Sequence, residues 1–144
     1  MKTRKTFGFI VMMFVLALSA NAEGKDGLQK YFNDAATKVK ATNSASEKRA
    51  ILNESFQTMM NALNIVHSSP LISKDDRAGL DHFKAALQEK QDELAGTNGY
   101  VRVADGQLND FSNYVVQDME QADQVITISV VTLLLIILLI VLIV

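Results

Sequence analysis

Residues 125–144 read VITISVVTLLLIILLIVLIV, with no charge, no glycine and no proline. Twenty helical residues rise about 30 Å, the thickness of a bilayer's hydrocarbon core. In hydrocarbon every backbone N–H and C=O has to be paired within the segment, so one unbroken helix is the expected form. Only Thr127, Ser129 and Thr132 interrupt the run, all in its first half. A helix packed on a protein core normally keeps one polar face. A strand is the competing form, because 125–131 is mostly β-branched, but strands rarely run this long. The stretch is therefore expected to be a single transmembrane helix, with the lipid bilayer as its partner and no cytoplasmic tail beyond it.

The other end explains how such a chain reaches a membrane. Lys2, Arg4 and Lys5 precede an apolar run from Phe7 to Leu18, and Ala20 and Ala22 follow with small side chains. That is the layout of a cleaved secretory signal with an A-x-A site, placing residues 1–22 in the signal and 23–124 in the mature domain. The chain contains no cysteine, which removes disulfides, lipidated cysteine and thiolate metal sites.

Charge gives the topology. The signal holds three of the 14 basic residues and none of the 16 acids, leaving the domain 11 against 16, a net of −5. A surface of that sign excludes nucleic acid as an expected partner. After Arg102 no Lys or Arg occurs, while Asp105, Asp110, Asp118, Glu120 and Asp123 follow. Basic residues are retained on the cytoplasmic side of a span, so this acidic flank belongs outside. The expected localisation is single-pass membrane, with the domain periplasmic or at the cell surface and the C-terminus at the cytoplasmic face.

Between the ends, four apolar stripes recur at three- and four-residue steps. Leu28, Tyr31, Phe32, Ala35 and Val39 define a helix over about 28–41. Ser44 with Glu47 reads as a capping box that opens a second helix over about 46–68, striped by Ile51, Leu52, Phe56, Met59, Leu63 and Val66. Ser69 and Pro70 stop it. Ser73 caps a third helix over 73–95, where Asp75 and Asp76 suit the first turn and Leu80, Phe83, Leu87 and Leu94 form the stripe. Lys90 occupies the one stripe position that is not apolar. Gly96 suits the left-handed residue past a helix end, and Asn98 with Gly99 signals a turn. Tyr100, Val101, Arg102 and Val103 alternate like a strand, yet nothing else in the chain offers a pairing partner. The fourth stripe, Leu108, Phe111, Val115, Met119 and Ala122, begins at about 106 and meets no breaker before the apolar tail. One long helix, half in water and half in lipid, is expected.

The fold class is thus all-α: an up-down-up-down bundle whose last helix, 106–124, continues into the 125–144 transmembrane helix. Direction follows from the anchor. The 68–73 corner lies toward the membrane, where Leu71 and Ile72 are candidate membrane-contacting residues. The 42–45 and 96–105 loops lie at the far tip, where Tyr100 and Arg102 are the candidate partner-binding residues.

No motif carries chemistry. His67 and His82 belong to neither an H-E-x-x-H nor a Glu-x-x-His pair, and no nucleophile elbow, phosphate loop or haem motif occurs. Asp75/Asp76 and Asp92/Glu93 read as capping or solvated-face acids. No catalytic residue, metal site or cofactor is expected. The expected function is a membrane-tethered extracytoplasmic binding or scaffold module: an adaptor, accessory subunit or envelope structural protein. The alternatives are a carrier of a small apolar ligand or lipid, lined by Phe56, Met59, Phe83 and Phe111, and a helical membrane-active protein. A protein partner of unknown identity is implied. The Ser and Thr of the span leave homo-oligomerisation open, although no G-x-x-x-G is present.

Overall fold

A computed structural model of the chain describes residues 24–125 and 130–143. The expected signal, 1–22, lies outside the described residues, as do 126–129 and 144. Five helices are present and no strand occurs among the described residues: α1 (Gly24–Ala41), α2 (Ala45–His67), α3 (Lys74–Ala95), α4 (Leu108–Val125) and α5 (Val130–Ile143).

Local chemistry sets the helix ends. The Ser44 hydroxyl accepts from the Glu47 N–H at 3.4 Å and opens α2, and Ser73 does the same for α3 through the Asp76 N–H at 3.1 Å. Ser68 closes α2, its N–H donating to Asn64. A 3₁₀ turn, Asp105–Gln107, leads directly into α4.

The four stripes converge on one core. Phe32 and Val39 of α1, Phe56 and Met59 of α2, Leu80 and Phe83 of α3, and Leu108 and Val115 of α4 are all buried in it. Tyr31 buries its ring edge-on to Phe32 and donates its hydroxyl to the Ser55 carbonyl at 2.8 Å. Burial holds that phenol well above the ordinary tyrosine range.

Cross-helix bonds fix the antiparallel order. Lys40 and Lys48, at the end of α1 and start of α2, reach Asn113 and Asn109 at the start of α4, at 2.9 and 2.8 Å. Arg49 meets the Leu94 carbonyl at the end of α3. These contacts define the tip. At the opposite end, His67 of α2 lies 2.8 Å from Asp81 of α3. This end is called the base.

The tail departs from expectation. The described part of the tail lies on the bundle: α4 is described to Val125, and α5 packs against α2 and α1. Ile136, Ile137 and Ile140 enter the shared core, and the Thr132 hydroxyl donates to the Asp76 carboxylate at 2.6 Å in a buried contact. Among the described residues no helix is long and apolar enough to cross a membrane. The all-round apolarity of α5 accounts for its packing on the bundle. With water as the alternative, such a helix removes most apolar area by lying on the bundle. Its outer side remains uncovered, with Leu142 71 % exposed.

Candidate functional site

The tip connection between α3 and α4 is held at both ends, and its middle faces outward. Gly96 starts it with φ +76°, a left-handed conformation that costs glycine little. A Cβ there would stand 2.8 Å from both the Cβ and the N of Arg102, so the glycine also lets the returning chain cross closely. The N–H groups of Gly96 and Thr97 donate to the Asp92 carbonyl at 2.8 and 3.0 Å. The Asp92 carboxylate accepts from the Thr97 hydroxyl (2.8 Å), the Asn98 amide (2.9 Å) and the Gln88 amide (3.1 Å). These bonds, Asn98 first and Thr97 next, hold the Asp92 carboxyl below the usual carboxylate range.

Asn98 and Gly99 turn the chain with φ +54° and +89°. On the far side Arg49 acts as a clamp. It donates to the Asp105 carboxylate at 2.7 Å, to the Leu94 carbonyl and to the Val103 carbonyl. The guanidinium pulls the Asp105 carboxyl below its ordinary value. Val103 is half-buried against the core.

Between these anchors Val101 is 90 % exposed, Tyr100 is 40 % exposed, and Arg102 is exposed. The Tyr100 phenol is pushed up, first by partial desolvation and then by the neighbouring Glu89 carboxylate. The two residues singled out from sequence, Tyr100 and Arg102, therefore flank an exposed valine that sequence reasoning did not pick. The backbone holds an aromatic ring, a branched aliphatic side chain and a guanidinium side by side at the tip. Among the described residues no group of three His, Cys, Asp or Glu could hold a metal ion.

At the base, the two residues proposed for membrane contact separate. Leu71 is 84 % exposed, whereas Ile72 is 6 % exposed and belongs to the core. Ile72 therefore steadies the corner from inside and only Leu71 is presented. Arg77 fastens the same corner, donating to the carbonyls of His67 and Ser69, both at 3.0 Å. His82 is exposed on α3. The candidate ligand-lining residues Phe56, Met59, Phe83 and Phe111 are buried together in the one core cluster.

Lys90 is the feature whose role the stripe pattern left unstated. It is fully buried, with Nζ 2.7 Å from Asp118 of α4, 3.1 Å from Glu93, and 3.9 Å above the Tyr114 ring. Burial opposes its charge, but Asp118, Tyr114 and Glu93 outweigh that and lift the ammonium above the ordinary lysine range. The signal was a lysine on an apolar stripe, with an acid three residues on. What completes it is Asp118, brought across from α4. The cluster ties α3 to α4 beneath the tip.

The class defined by these features is a small all-helical bundle with an ordered, outward-facing tip loop. No family model, no curated protein and no solved structure matches this chain.

Proposed function

We propose that this chain is a membrane-tethered extracytoplasmic helical binding module without catalytic activity, its bundle presenting the tip loop to a protein partner. The observation that carries this reading is the loop itself. Hydrogen bonds to the Asp92 carboxylate and from the Arg49 guanidinium fix both of its ends while Tyr100, Val101 and Arg102 stay exposed. A loop already ordered loses little conformational freedom on docking, and Tyr and Arg are the residue types that dominate interface energies.

Tethering rests on residues 125–144, uncharged throughout and of spanning length, and on the secretory layout of residues 1–22. The base then faces the bilayer, where exposed Leu71 meets the interface, and the tip stands away from it. Tethering requires α5 to exchange its place on α1 and α2 for hydrocarbon.

The test is a photo-crosslinking residue at position 100 in intact cells, compared with the same chain carrying Val101→Asp. A discrete adduct in membrane fractions that disappears with the substitution supports the reading. An adduct unchanged by Val101→Asp places recognition elsewhere, and a full chain found wholly in the aqueous fraction removes the tether.

A further inference from the structure

Three features of α5 belong together. It carries no charged residue, its inner side chains Ile136, Ile137 and Ile140 are buried in the shared core, and its outer side chains Leu138 and Leu142 are exposed to water. A helix that is apolar on every side is satisfied fully only where every side is covered. The bundle covers one side and hydrocarbon covers all. A buried bond from Thr132 to Asp76, in the first turn of α3, helps hold it in place.

We infer that α5 is a displaceable cover: it occupies an apolar face of α1 and α2 in water, and a bilayer withdraws it and uncovers that face. This rests on the tethering reading above and adds to it a consequence, that membrane attachment and exposure of the α1/α2 face are one event. A bilayer competes because it offers the uncovered leucines what the bundle does not, against the loss of the Thr132 bond, of the packing of Ile136, Ile137, Ile140, Leu135 and Leu139, and of the cover over the α1/α2 face. The coupling is obligatory, since one helix cannot fill both places.

The Thr132 contact sets the balance between the two places. Thr132→Val removes the donor and keeps the side-chain volume. Asp76→Asn weakens the acceptor and leaves the tail's composition unchanged. Each is expected to raise the vesicle partition constant about fivefold, the worth of one net buried hydrogen bond. Thr132→Val also makes the tail more apolar, so agreement between the two variants is what assigns the effect to the bond.

The chain has no cysteine, so labels go where they are placed. Spin labels on Gln57→Cys of α2 and Leu142→Cys of α5, both exposed positions, report the separation of the two helices in the full chain. On adding phosphatidylcholine vesicles, the distance is expected to lengthen by about 20 Å or more, the length of α5. Vesicle binding with the distance unchanged overturns this inference and leaves the tether standing. A chain that does not float with vesicles at all overturns the tether, and the inference with it.

Discussion

Replacing Lys90 tests how the two halves of the bundle are joined. Lys90→Met keeps most of the stem and removes the charge, leaving Glu93 and Asp118 facing each other without a cation. Taking one partner from a buried pair costs about 3–5 kcal/mol. Asp118 here is one-third exposed and regains water, which brings the expected loss to about 2–3 kcal/mol. Lys90→Ala also removes three buried methylenes, at about 0.8 kcal/mol each, for a total of about 4–5 kcal/mol. Against a domain stability of about 5–15 kcal/mol, both changes are readily measured. Urea unfolding followed by far-ultraviolet circular dichroism gives each value. Adding Asp118→Asn to Lys90→Met should recover about 1 kcal/mol, because the stranded charge is gone. The pH dependence supplies a second check. The folded pKa of Lys90 lies above the unfolded one, so its stabilisation is complete below about pH 10 and is lost as pH rises through the folded value. Tyr31 shifts in the same direction in both proteins, so the difference between wild type and Lys90→Met isolates the lysine. A Met variant within 0.5 kcal/mol of wild type, or one as unstable as the Ala variant, would refute the assignment.

The tip loop gives three further predictions. Gly96→Ala forces a side chain into a left-handed conformation and against the Arg102 backbone, for about 2–3 kcal/mol, whereas Gly99→Ala meets nothing within 4 Å and should cost only about 1 kcal/mol. Equal losses in thermal unfolding would show that the close crossing at Gly96 does not matter. Asp92 and Asp105 both have lowered folded values, so their contributions hold above the unfolded carboxylate pKa of about 3.9 and fade as pH falls through the folded ones. Amide exchange in 97–105, corrected for its intrinsic pH dependence, should therefore accelerate below about pH 4 ahead of the helices. Arg49→Met removes the clamp on Leu94, Val103 and Asp105, and should raise exchange in the same segment without altering that of the α1 core. Protection retained in that variant would mean the Asp92 bonds suffice alone.

Much of the bundle was legible from residue order. Stripes at three- and four-residue steps depend on helical periodicity alone, and caps such as Ser44, Ser73 and Gly96 act on neighbours three or four positions away. The strand-like alternation at 100–103 yielded to the lack of any pairing partner, and the segment is irregular, with no strand formed. Tyr100 and Arg102 could be placed in an exposed tip by loop position. The clamp could not, because Arg49, Leu94, Val103 and Asp105 are distant in the chain and meet only when α2, α3 and the loop assemble.

The division follows interaction range. Sequence by itself determined what is local or compositional: helices, their caps, the apolar faces, and a tail that must avoid water on every side. Tertiary structure alone decided which charges meet, as at Lys90 and Asp118, which neighbour of the corner is shown, Leu71 and not Ile72, and where α5 rests. Hydrophobicity states that the final helix needs cover, but being non-directional it does not name the cover. Only the shape of α1 and α2, with Asp76 placed to receive Thr132, makes the protein's own surface a cover for it.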